Sequence, residues 1–176
     1  MKISGIDYES VNDGEGVRTV IYVSGCSHNC KGCHNPTTHD INNGIEFTDN
    51  LKKRIIHMIT MRPFVKGITL SGGDPLHNNN VKEVYELCKE LKDIFPDKTL
   101  WIYTGYTFET VINKSSASKE DIYRRNLLFL ADVVVDGRFE QDKKDLTLAF
   151  RGSSNQRIIN IQETLKQGKI ILWSNK

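Results

Sequence analysis

Short β-branched runs and longer stretches at helical spacing take turns along this 176-residue chain, and few architectures accommodate that alternation. Residues 17–24 (Val-Arg-Thr-Val-Ile-Tyr-Val-Ser) have the composition of a first strand. Thr48 can cap a helix that carries Leu51, Ile55, Met58 and Ile59 on one face and ends near Pro63. Gly67-Ile-Thr-Leu-Ser71 reads as a buried strand. Residues 79–95 read as a second helix with Val81, Val84, Leu87, Cys88 and Leu91 on its apolar side. Strand Thr99-Leu-Trp-Ile-Tyr103, a loop at 113–118, a helix over 119–130 and strand Asp132-Val-Val-Val-Asp136 follow. A polar segment at 151–157 and an apolar run at 169–173 close the chain.

This order predicts an α/β fold with a parallel sheet built from βαβ crossovers. Such sheets and barrels carry their chemistry in loops at the carboxyl ends of strands. A full eight-unit barrel takes about 250 residues. The expectation is therefore an incomplete, laterally open parallel β/α barrel, one domain over 1–176, open enough at its side for a large substrate. No repeat or linker divides the chain.

Four unusual loops fall at the predicted carboxyl ends, and all should share one mouth. The first holds three of the four cysteines, as Cys26-Ser-His-Asn-Cys30-Lys-Gly-Cys33, followed by His34-Asn35. The second is Ser71-Gly72-Gly73-Asp74-Pro75, the third Thr104-Gly105-Tyr106 and the fourth Asp136-Gly137-Arg138. Three thiolates in one short loop can wrap a metal site. A [4Fe–4S] cluster held by only three cysteines leaves one iron open to a reactant. The competing reading is a structural zinc site with His28 or His34 as fourth ligand. Paired glycines at 72 and 73 let backbone approach a ligand, and Asp74 offers a carboxylate to an ammonium group. Taken alone, that segment also reads as a plain turn with Asp74 as a local cap.

Composition narrows the setting. A net charge of +2 and the lack of any Lys/Arg block give no reason to expect nucleic acid or an anionic membrane as partner. The start of the chain lacks the apolar core of a signal peptide, so a cytoplasmic protein with reduced thiols is expected.

The spaced cysteines after a first strand, with Gly72-Gly73-Asp74-Pro75 after the next, resemble the radical S-adenosylmethionine (SAM) enzymes. Asp13-Gly14-Glu15-Gly16-Val17-Arg18 and Cys33-His34-Asn35 are similar to the glycyl-radical-enzyme activases. Thr69-Leu-Ser-Gly-Gly-Asp-Pro-Leu76, Tyr103-Thr-Gly-Tyr106, Val134-Val-Asp-Gly-Arg-Phe139 and Arg151-Gly-Ser-Ser-Asn-Gln-Arg157 narrow the resemblance to activating subunits of anaerobic (class III) ribonucleotide reductases. It runs from about Gly5 to Ile161.

The resemblance implies that Cys26, Cys30 and Cys33 ligate a [4Fe–4S] cluster and are the catalytic and metal-binding residues. SAM would complete the fourth iron. Gly72, Gly73 and Asp74 would meet its methionine end, and the backbone of Gly32, Cys33 and His34 its nucleoside. Tyr103, Thr104 and Asp136 join the cofactor-binding set. The implied partners are the large catalytic subunit of the reductase, whose glycine receives the radical, and a flavodoxin or ferredoxin electron donor. A formate-lyase-type glycyl-radical enzyme is the alternative partner.

This chain has Gly32 where many radical-SAM enzymes carry an aromatic residue against adenine. Tyr103, Tyr106 or His34 would then hold that ring, or the tyrosines simply pack. Asp136 could orient a ribose hydroxyl, a cation or a loop amide, or be a turn residue. Arg18 reads as a surface residue or a partner of Asp13 or Glu15. The Arg151–Arg157 loop offers two guanidinium groups to SAM or a partner, or is simply solvated. Cys88 reads as a buried structural thiol. His39, His57 and His77 carry no expected role.

Overall fold

A computed structural model describes residues 1–114 and 118–174. Seven strands form one sheet in the order β3-β1-β2-β4-β5-β6-β7. They are β1 (Lys2–Ser10), β2 (Arg18–Val23), β3 (Ile45–Glu46), β4 (Gly67–Gly72), β5 (Thr99–Tyr103), β6 (Val133–Asp136) and β7 (Arg157–Asn160). The helices are α1 (Asp49–Thr60), α2 (Val81–Ile94), α3 (Phe108–Ile112), α4 (Lys119–Leu130) and α5 (Ile161–Gln167). No described helix is long and apolar enough to cross a membrane.

The α/β class and the alternation of strands and helices stand, but the all-parallel barrel does not. The parallel part is β2-β4-β5-β6. At one end β1 runs antiparallel to both β2 and β3, and at the other β7 runs antiparallel to β6. Connection length explains both departures. A parallel return needs a crossover of about a dozen residues or more, usually helical. Residues 11–17 are too few, and residues 137–156 hold only a short 3-10 turn at Gln141–Lys143. The result is a mixed sheet with β3 and β7 at its edges. The loop expected at 113–118 has its centre, 115–117, outside the described residues.

Alternation along the central strands sends side chains to two faces. Ile21, Val23, Ile68, Leu70, Leu100, Ile102 and Val134 join the apolar faces of α1, α2 and α4 in the main core, where Cys88 is fully buried. Thr48 caps α1 by accepting from the Leu51 N–H at 3.3 Å, and a Ser118–Asp121 capping box starts α4. The opposite face carries Trp101, Val133, Val135 and Ile158 under Tyr103, Phe150 and Trp173. Trp101 meets the rings of Phe150 and Trp173 edge-on at 5.5 and 5.2 Å.

Arg18 lies on this second face and is fully buried, contrary to the surface reading. It stands in register with Gly67, which is in register with Thr99, so the guanidinium spans the amino ends of three strands. Nε donates to Thr69 Oγ1 at 2.7 Å. Nη1 donates to Thr99 Oγ1 and Glu15 O, and Nη2 to Ile68 O and Thr99 O. The group also lies 5.2 Å from the Trp101 ring centre. Burial pulls its pKa down to about 10. A Cβ at position 67 would stand 2.3 Å from Arg18 Nη1, so Gly67 is what makes room for it.

Candidate metal centre

The cysteine loop leaves the carboxyl end of β2 from a root tied down by backbone. Gly25 N–H donates to Thr38 O at 2.8 Å and Cys26 N–H to His39 O at 3.2 Å. From β4, Gly73 N–H donates to Val23 O at 2.7 Å and Asp74 N–H to Gly25 O at 2.9 Å. The buried Asn80 side chain donates to Ser24 O at 2.8 Å and to Asp74 O at 3.0 Å. The paired glycines do permit a close approach, and in the structure the neighbour is the chain itself. A Cβ on Gly73 would sit 2.6 Å from Gly25 O, and one on Gly72 2.7 Å from Val23 O. Backbone cannot swing aside as a side chain does. Gly73→Ala is therefore expected to cost about 1–3 kcal/mol in urea unfolding. Hydrogen exchange at residues 24–26 should accelerate with it.

Beyond the root the three cysteines are free and half-buried. Cys33 N–H donates to Cys30 O at 3.1 Å, and the turn uses left-handed backbone at Asn29 and Gly32. A Cβ on Gly32 would stand 1.7 Å from Gln141 Oε1 and 3.5 Å from the Phe139 ring. Glycine at 32 thus goes with the segment after β6 packing on the loop tip. Burial pushes the Cys26 thiol up to about 11, against backbone N–H groups of His28 and Asn29 that pull it down. Burial likewise raises Cys30, opposed by the Phe139 N–H and the Arg138 charge. Binding a metal here must displace thiol protons.

Among the described residues no three His, Cys, Asp or Glu side chains converge closely enough to hold one metal ion. Neither proposed fourth zinc ligand is poised for the role, since His28 is seated against Asp74 and His34 is exposed. Three thiols bound to three different irons need not converge on one point. Nearby backbone N–H groups that lower the Cys26 and Cys30 thiol pKa favour the thiolate form that an iron–sulfur cluster needs. The residues fit a three-cysteine cluster better than a zinc ion.

The other loops meet this one. Asp74 is 1% exposed, and its carboxylate accepts from Leu76 N–H at 2.8 Å, Thr104 Oγ1 at 3.0 Å and Gly105 N–H at 3.0 Å. It is a local cap and a tie between β4 and β5 at once. Thr104 N–H donates to Val135 O, and Gly137 N–H to Tyr106 O, which links β5 to β6. Asp136 accepts from the Phe108 N–H at 2.8 Å and pairs with Arg157 at 2.5 Å. Arg157 also grips Glu109 with two nitrogens, which holds the Glu109 carboxyl below its usual range. An open cleft of about 580 Å³ runs from His28 and Tyr106 to Asp136, Arg138 and Arg157.

Three expected contributors are placed differently. Tyr103 turns to the second face, where its hydroxyl donates to Phe150 O at 2.9 Å. His34 is exposed at the loop edge, and Arg151 donates to Gln156 O within its own loop. Sequence reasoning missed Asn80, Phe139 and Gln141 as neighbours of the cysteine loop. The Asn78-Asn79-Asn80 run before α2 was the one local signal for the first.

The model of the 4Fe-4S single cluster domain family matches residues 12–159. The anaerobic ribonucleoside-triphosphate reductase-activating protein of Pasteurella multocida is 40% identical over 147 residues, covering 83% of this chain and 89% of the relative. The protein of the same name from Escherichia coli K12 is 38% identical over 85% of this chain and 92% of its own length. That of Enterobacteria phage T4 is 38% identical over 83% and 85%. The chain belongs to this family of reductase-activating proteins.

Proposed function

We propose that this chain is a radical-SAM activase that carries a [4Fe–4S] cluster on Cys26, Cys30 and Cys33 and activates an anaerobic ribonucleoside-triphosphate reductase. The observation that carries the reading is the backbone seam between the cysteine loop and Gly73–Asp74, in a chain of this family. It holds a three-thiol ligand set and a buried carboxylate together at the carboxyl ends of the central strands β2 and β4. When bound, a cluster with one iron open to SAM supplies reductive cleavage to methionine and a 5′-deoxyadenosyl radical, which takes a hydrogen atom from a glycine of the reductase.

The protein's part is binding, orientation and exclusion. Cys26, Cys30 and Cys33 give up their protons to bind iron. Gly72, Gly73 and Asp74 receive the amino-acid end of SAM; Asp74, already held by Leu76, Thr104, Gly105 and His28, accepts from its ammonium group by exchanging one of those partners. The backbone of Gly32, Cys33 and His34, together with Thr104 and Asp136, flanks the nucleoside. Tyr106, rather than Tyr103, is the aromatic residue lining the cleft. The open side of that cleft admits the glycine-bearing segment of the large catalytic subunit. A flavodoxin or ferredoxin supplies the electron, and the cytoplasm keeps the thiols reduced.

The test is anaerobic: cluster-loaded protein, the large reductase subunit, SAM and a strong reductant, read by electron paramagnetic resonance (EPR). A glycyl-radical doublet on the large subunit is expected. Its absence, with an intact cluster and folded reductase, would overturn the assignment.

A further inference from the structure

His28 lies inside the cysteine motif, yet its ring is seated against the other loops. The side chain is 7% exposed, and Nε2 stands 2.7 Å from Asp74 Oδ2 without forming a well-aligned hydrogen bond. The ring meets Tyr106 edge-on, with centres 4.7 Å apart. It also fills the space beside Gly105, where a Cβ would come within 2.3 Å of His28 Cδ2. The Arg124 guanidinium lies over the Tyr106 ring, 5.1 Å from its centre. Arg124 in turn donates to Leu76 O at 2.8 Å and Asp121 at 2.7 Å. An imidazole, a phenol and a guanidinium thus form one chain of contacts from the cysteine loop to α4, and it returns to the segment that follows Asp74.

We infer that His28 is a positioning residue: wedged between Asp74 and Tyr106, it holds the cysteine loop at a fixed offset from the Asp74 carboxylate. This rests on the reading above, in which the cluster on the three thiols and the Asp74 carboxylate both hold one SAM molecule. Beyond its root at Cys26 the loop has few other ties, chiefly the Cys30–Cys33 turn and the contacts with Phe139 and Gln141. A ligand shared by the open iron and Asp74 tolerates little displacement between them, because a shift of about 1 Å spoils shared contacts. The same placement accounts for the glycine of Thr104-Gly105-Tyr106, whose missing side chain is the seat of the imidazole.

Two substitutions separate the contacts. His28→Phe keeps a ring on Tyr106 and loses the nitrogen beside Asp74, whereas His28→Gln keeps a nitrogen within reach of Asp74. Each is loaded anaerobically and compared with wild type for iron content, SAM affinity and the SAM-induced change in the EPR signal of the reduced cluster. Hydrogen exchange is measured on the cluster-free chains.

Wild-type iron content is expected in both variants. In His28→Phe, SAM affinity should fall about tenfold, as for loss of a contact to a charged group, and the SAM-induced spectral change should shrink. His28→Gln should stay within about threefold of wild type. In the cluster-free chains, residues 26–33 and 104–107 should exchange faster in His28→Phe than in the other two. Wild-type SAM affinity and exchange in His28→Phe would overturn the inference. So would equal loss of iron in both variants, which would make His28 part of the cluster's own support. If the wild-type cluster itself gives no SAM response, the SAM reading fails, and the exchange comparison alone decides whether His28 anchors the loop.

Discussion

Replacing Cys30 with alanine is expected to abolish the brown iron–sulfur absorption and reduce bound iron from about four atoms per chain to less than about one. Cys30 occupies the middle of the motif, where the nearby Phe139 backbone and Arg138 charge favour its thiolate against the effect of burial. No other described side chain stands ready to replace it, since His28 is committed to Asp74 and Tyr106 and Cys88 is sealed in the main core. The fold should survive, because the loop root is held by Gly25, Gly73, Asp74 and Asn80 rather than by the sulfurs. Iron and sulfide analysis beside a urea melt of the metal-free chain reads both halves. A variant that retains a full cluster would contradict the ligand assignment.

The largest effect on stability is expected at Arg18. Arg18→Met roughly preserves volume but takes the Arg18 donor from Ile68 O, which is buried, and from Thr99 O and Glu15 O, which are partly buried. Each abandoned acceptor costs about 1 kcal/mol or more. Relief of burying the charge, visible in the lowered pKa of Arg18, offsets part of this. The net expectation is a loss of about 2–4 kcal/mol in urea unfolding. Arg18→Lys should recover little of it, since one ammonium cannot reach acceptors on three strands or lie flat on Trp101. A change under about 0.5 kcal/mol would show that the network contributes nothing net.

The placement of the candidate site's loops was legible because the motifs are contiguous. The cysteine loop, Gly72-Gly73-Asp74, Thr104-Gly105-Tyr106 and Asp136-Gly137 each follow a strand that the β-branched runs announced, and a parallel centre brings those strand ends together. Helix α4 was legible in its extent, 119–130, whereas Ser118, read as part of the preceding loop, caps it in a box with Asp121. Strand β1 was hidden by an irregularity. A register shift between Ile3 and Gly5 breaks the period of two that would have announced it. Strand β7 and helix α5 are short, and their pairing with β6 and packing on the sheet come from tertiary context that no local pattern carries.

The pairings that arm the site are also non-local. His28 with Asp74 and Asp136 with Arg157 join residues far apart in the chain, so spacing alone does not reveal them. Arg18 shows the same limit from the other side. A charged residue near a strand's start suggests the surface, and only the space left by Gly67 and the Trp101 ring reveal that it is enclosed.

The most direct test of the account is production of 5′-deoxyadenosine. Wild type and Cys33→Ala are each treated anaerobically with iron and sulfide, then given SAM, a strong reductant and the large reductase subunit, and the nucleoside is quantified by chromatography. The account predicts 5′-deoxyadenosine from wild type and only background from the variant. Tightly held zinc, no cluster uptake and no nucleoside from wild type would contradict it and leave a structural metal module in its place.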